Sequence, residues 1–178
     1  MAIIAGKNVS FSVLIALSLL LSGCGLSRSA SDGTVAMTRS LFYAQVKNLH
    51  LDIRAREALN SNADGVALST VVRIYQLKER RTFDNADYPL VFASDSPVIK
   101  EDVLSKKDIR LTPGGAVSIN MPLEEKTQYV AIAAMFLTPD QQKNTWRVVL
   151  SRDELDPDVP RLIEAEDNRL TLKPLEDD

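Results

Sequence analysis

NLHLDIRAR, residues 48–56, alternates side chain by side chain: Leu49, Leu51, Ile53 and Ala55 share one parity, His50, Asp52, Arg54 and Arg56 the other. Successive side chains of an extended chain point to opposite faces, so this pattern describes a strand with one buried and one wet face. The same period recurs downstream. STVVRIYQLK (69–78) carries β-branched Val71, Val72 and Ile74 beside Tyr75. DIRLTPGGAVSINMPL (108–123) reads as two strands around a turn, with Pro113 suited to the first corner and Gly114 to the positive φ that follows. TQYVAIAAMFL (127–137) is almost continuously apolar, as a central strand covered on both faces would be. TWRVVLS, RLIEAE and RLTLKP bring the strand candidates to about eight. The break is residues 82–106. There Asp87, Tyr88, Leu90, Val91 and Phe92 suit a short helix limited by Pro89, and VIKEDVLSKK (98–107) reads helical too. Many strands with a short helical insertion predict a mainly β, two-sheet β-sandwich, with 41–178 as its single domain.

Upstream the chemistry changes. From Phe11 to Leu21 every residue is apolar except Ser12 and Ser18, and Lys7 is the only charge before it. A cationic start, a short apolar run and small residues afterwards describe a secretory signal peptide, too short to cross a bilayer as a helix. The run ends on the chain's single cysteine. Leu21, Ser22, Gly23 and Cys24 resemble the bacterial lipobox, in which the thiol forms a thioether to diacylglycerol and small neighbours admit the signal peptidase. Residues 1–23 are then removed, and Cys24 carries N-acyl and S-diacylglycerol lipid, with no other cofactor expected. Gly25 follows where an aspartate would favour inner-membrane retention, so the outer membrane is the expected location. Residues 24–40, rich in Ser, Gly and Thr after the cysteine, read as a flexible tether facing the periplasm. No second cysteine exists for a bridge.

Removing 23 of 178 residues leaves 155, enough to bury a core without disulfides. Lys7 goes with them, so 20 basic residues face 24 acidic ones, a balance that disfavours nucleic acid as a partner. Catalytic readings find little. His50 is the only histidine and sits on the wet parity of its strand; no G-x-S-x-G elbow and no zinc-ligand spacing accompany it. Glu124–Glu125 and Glu164–Glu166 are the carboxylate pairs that a cell-wall glycan hydrolase would need. The first pair precedes a strand, and the second shares one strand face. No catalytic residue and no metal ligand are assigned. A ligand- or glycan-binding lipoprotein is the alternative class, but its signature, aromatics clustered on loops, is missing: the Phe, Tyr and Trp residues fall mostly within strands or the helical insertion.

EALNSNADGVALST (57–70) is more informative. It separates two strands by about ten residues, where most hairpin loops use 2–5. Asn60, Ser61, Asn62, Asp64 and Gly65 favour turns, while Val66, Ala67 and Leu68 put apolar groups where solvent is expected. Either this is a partner-binding loop on a rigid sandwich, or Val66 and Leu68 begin the second strand.

LNSNADGVALSTVVRIYQLK, FDNADYPLVF, LTPGG, QYVAIAAMF and TWRVV, in this order, resemble the TssJ (SciN) family of outer-membrane lipoproteins of the bacterial type VI secretion system, from about Leu49 to Leu150. The resemblance implies a transthyretin-like sandwich without catalytic activity. It implies as partner the periplasmic C-terminal region of the inner-membrane protein TssM and, through it, TssL. Carried onto this chain, the partner-binding segment is Asn60, Ser61, Asn62, Ala63, Asp64, Gly65, Val66, Ala67, Leu68 and Ser69.

Overall fold

The computed structural model describes residues 46–175; Leu21–Cys24, the signal segment and the tether lie outside them. Eight strands form two four-stranded sheets, in the orders β4-β1-β7-β8 and β3-β2-β5-β6. The strands are β1 (Asn48–Leu59), β2 (Thr70–Leu77), β3 (Val103–Leu111), β4 (Ala116–Pro122), β5 (Tyr129–Ala134), β6 (Arg147–Ser151), β7 (Arg161–Asp167) and β8 (Arg169–Leu172). Each of the eight expected strands is present, and the two-sheet sandwich with them.

One core fills the space between the sheets. Leu49, Leu51 and Ile53 of β1 and Ile163 and Ala165 of β7 meet Val72 and Ile74 of β2 and Val130 and Ile132 of β5, all buried. Strand β1 is central in its sheet, antiparallel to β4 and parallel to β7. Strand β5, between β2 and β6, is buried on both faces, as its apolar run implies. Its outer face carries Ala131 and Ala133, paired with Tyr75 and Arg73. These small side chains leave room for two short helices, α1 (Arg81–Asn85) and α2 (Tyr88–Phe92). Tyr75 packs edge-on against Phe83 with ring centres 5.5 Å apart and donates to the carbonyl of Val91. Arg147 reaches from β6 to the carbonyls of Phe83 and Ala86 at 2.7 and 3.0 Å, adding donors at the end of α1.

The helical reading of 98–107 is corrected. Residues 97–102 make turns, and Val103 starts β3, whose register pairs Ser105 with Gln76 and Lys106 with Tyr75. Helical propensity lost to a ladder along the free edge of β2, so the helical insertion narrows from 82–106 to 81–92. The strand reading of Met135–Leu137 is also trimmed, because β5 ends at Ala134.

Successive connections alternate between two poles. Val46, where the described chain begins, shares the proximal pole with the β4–β5 and β6–β7 connections. There buried Gln76 donates to the carbonyl of Pro122 and accepts from Glu124 N and Thr127 Oγ1 at 2.8, 2.7 and 3.0 Å. The β1–β2, β3–β4, β5–β6 and β7–β8 connections form the distal pole. All five positive-φ residues among those described lie there: Asn60, Gly65, Gly114, Asn144 and Asp167. Asn, Asp and Gly are the residue types that tolerate the left-handed region, and each of the four distal connections uses one to turn sharply.

Candidate functional site

The β1–β2 connection is the site that sequence singled out, and its length now has a structural cause. It is not a hairpin: β1 and β2 belong to different sheets, so the chain crosses between layers that pack about 10 Å apart. Asn60 begins the crossing in the left-handed region at φ 49°, almost fully buried. Its amide donates to the carbonyl of Asp167 at 2.6 Å, its Nδ2 donates to Ser69 O at 3.4 Å, and its Oδ1 accepts from Leu137 N at 2.7 Å. One asparagine, through its side chain and its backbone amide, therefore ties the start of the loop to its end and to two other connections.

The tip is built on Asn62. Its Oδ1 accepts from the amides of Asp64 and Val66 at 3.0 and 2.9 Å, and its amide donates to Val66 O at 3.0 Å. Such an Asx arrangement mimics a backbone turn. Gly65, at φ 77°, closes the turn with its amide on Asn62 O. Leu68 N then donates to Leu59 O at 3.0 Å. The loop is thus internally bonded, and it holds Val66 54% and Leu68 36% exposed. Ala63 and Asp64 are exposed beside them; Ser61, Asn62, Ala67 and Ser69 are half-buried. The second strand begins at Thr70, which decides between the two readings of Val66 and Leu68: both belong to the loop.

The carboxylate pairs sit elsewhere. Glu124 and Glu125 are exposed on the β4–β5 connection. Glu164 pairs with Lys173 and Arg56 at 3.0 and 2.8 Å; the hydrogen bond from Lys173 leads in holding its carboxyl below the ordinary value. A general acid needs the opposite shift. Glu166 pairs with Arg169 at 2.6 Å. His50 is half-buried on the outward parity of β1. Aromatic rings gather under the helices, where Tyr88 meets Phe92 and Trp146 with ring centres 5.0 Å apart.

Sequence reasoning passed over Met135 and Leu137, which follow β5 and are 40% and 58% exposed. Only the buried Phe136 between them continues the apolar run inward. The available signal was the Thr138–Pro139 that ends the run.

Comparison with solved structures supports this architecture. A chain in the structure described as "T6SS protein TssM C-terminal domain (869-1107) from EAEC" is 56% identical, with a TM-score of 0.66, over 73% of this chain and all of that one. A chain of a "Type VI membrane complex" is 58% identical, with a TM-score of 0.70, over 72% of this chain and 99% of the other. The T6SS lipoprotein TssJ1 from Pseudomonas aeruginosa, at 23% identity and a TM-score of 0.60 over 73% of this chain and 98% of its own, shares the fold. A comparison with curated proteins returns no match. The family profile described as type VI secretion lipoprotein (VasD, EvfM, TssJ, VC_A0113) spans residues 47–173, the whole sandwich from the foot of β1 to the end of β8, and the chain belongs to this T6SS-SciN family.

Proposed function

We propose that the chain is the outer-membrane anchor of a type VI secretion trans-envelope complex. Lipid on Cys24 holds it in the membrane, and the β1–β2 loop, Asn60–Ser69, grips the periplasmic C-terminal region of TssM, with TssL joining through TssM. The observation that carries this reading is the pair of exposed apolar side chains, Val66 and Leu68, on a loop stiffened by Asn60 and Asn62. The 56% identity over the full length of a chain in a TssM structure names the partner. A rigid loop presenting apolar groups binds with little ordering entropy to lose.

The mechanism is mechanical. Val46 and the loop stand at opposite ends of β1, whose 12 residues cover about 40 Å at about 3.3 Å each. Membrane and partner therefore attach to the two ends of a single central strand. Binding alone performs this task, so no acid, base or nucleophile is required of the sandwich, and the lowered Glu164 carboxyl suits an ion pair. Gly25 after Cys24 supports the outer membrane as the location.

The test is a titration of the lipoprotein against the periplasmic region of the TssM encoded in the same genome. A parallel variant carries a short Gly-Ser linker in place of Ser61–Leu68. Binding that disappears with the loop in a folded protein is the expected outcome; absence of binding by the unaltered protein overturns the reading. Cys24→Ser is expected to move the protein from the membrane to the soluble periplasmic fraction.

A further inference from the structure

The β5–β6 connection presents two more apolar side chains at the pole that carries Val66 and Leu68. Leu137 is the most exposed large apolar residue among those described, and Met135 is slightly more exposed than Leu68. Removing apolar surface from water is favourable, so leaving these side chains partly in water is a standing penalty for the free protein. Their backbone gives them no freedom to turn inward. Met135 N donates to Val71 O at 2.8 Å and Met135 O accepts from Thr70 Oγ1 at 2.6 Å. Leu137 N donates to Asn60 Oδ1 at 2.7 Å, and Thr138 O accepts from Asn168 Nδ2 at 2.6 Å. Three neighbouring segments thus fix a loop whose apolar groups point outward on either side of buried Phe136.

We propose that Met135 and Leu137 are anchors of a composite docking surface, shared with Val66 and Leu68, for the periplasmic region of TssM. The inference rests on the reading of the β1–β2 loop as the site for that partner. Continuity carries it: Asn60 and Thr70, at the two ends of that loop, bond directly to Leu137 and Met135, so whatever seats on one loop meets the other. The occupant is the partner inferred for the β1–β2 loop, and it presents an apolar patch that covers both loops.

The experiment uses the full chain purified in detergent, titrated with the TssM periplasmic region from the same genome. The double variant Met135→Asp/Leu137→Asp, with the β1–β2 loop intact and its melting temperature unchanged, is expected to bind at least tenfold more weakly. A benzoylphenylalanine photo-crosslinker placed at position 137 of the otherwise unaltered chain is expected to capture that partner. Unchanged affinity and no capture, while replacement of Ser61–Leu68 still abolishes binding, overturns the composite surface and leaves the loop reading standing. Capture of a second copy or of lipid at position 137 also overturns it. No binding by the unaltered chain overturns both.

Discussion

Arg152 and Val46, 106 positions apart in sequence, meet at the foot of the sandwich, where Arg152 Nη2 donates to the carbonyl of Val46 at 3.0 Å. The Nη1 of the same buried guanidinium donates to the carbonyls of Glu125 and Thr127, each at 2.9 Å. Three segments that converge on the proximal pole are thereby fastened to one cation, at the place where the chain leads back toward Cys24.

Arg152→Met keeps much of the apolar stem and removes the donors. Buried carbonyls are left without them, and each such loss costs about 1–3 kcal/mol. The expected result is a destabilisation of about 3 kcal/mol in urea unfolding. A loss below about 0.5 kcal/mol would mean that water replaces the guanidinium.

At the other pole, Val66→Asp and Leu68→Asp are expected to weaken TssM binding about thirtyfold each, the equivalent of ~2 kcal/mol for an interface anchor. Both side chains are exposed in the free protein, so thermal stability stays within about 0.5 kcal/mol of the parent. Calorimetry on complex and free protein separates the two quantities.

Gly65 allows a cleaner test of loop stiffness. A Cβ there meets no atom within 4 Å, so the penalty of substitution comes from φ 77° alone. Gly65→Ala is expected to lose about 1 kcal/mol, and Gly65→Asn less, because asparagine tolerates the left-handed region. Equal losses for both would show that the tip leaves this conformation readily.

These features were unevenly legible in sequence. The eight strands announced themselves because alternation reports a one-sided burial that a sheet enforces along its whole length. Strand order did not: Gln76 and Asn60, which staple the sheets at opposite poles, look like ordinary polar residues until their partners, 46 to 77 positions away, are known. The loop was legible through its turn formers, but its length was measured against a hairpin when it crosses between sheets. Residues 98–107 misled because the pairing of Val103–Leu111 with β2 outweighs local preference. Met135 and Leu137 were hidden by an apolar run that continues past the end of its strand.

Acid will act on the Arg73–Asp108 pair. Arg73 Nε and Nη2 grip the two Asp108 oxygens at 2.6 and 2.7 Å. This hydrogen bonding holds the Asp108 carboxyl below its ordinary value. Folding therefore lowers the pKa, and the unfolded chain binds the proton more readily. The contribution is complete above the ordinary aspartate range and is lost as pH falls through the lower folded value. Asp108→Asn is expected to lower the melting temperature at pH 6, with the gap to the parent narrowing as the medium becomes acid enough to protonate Asp108. Half-exposed Asp108 makes the gap shrink with salt as well. A gap that stays constant down to the acid limit of folding would assign the loss to packing.

Val46 and the β1–β2 loop stand at the two ends of β1, and this sets how the sandwich meets tension. A strand already spans about 3.3 Å per residue, and a fully extended chain at most about 3.6 Å, so freeing β1 gains about 0.3 Å per residue. Force accelerates a transition in proportion to the length gained. Pulling along β1 therefore performs little work on its ladders to β4 and β7. Pulling between the foot of β1 and the end of β8 instead releases the intervening chain. In a Cys24→Ser background, handles at Lys47→Cys and Asp64→Cys are expected to withstand higher force than handles at Lys47→Cys and Pro174→Cys, and to yield an extension confined to the loop. Equal rupture forces in the two geometries would show that the membrane and partner ends are not joined through β1, and the anchor would owe its strength to some other path through the sandwich.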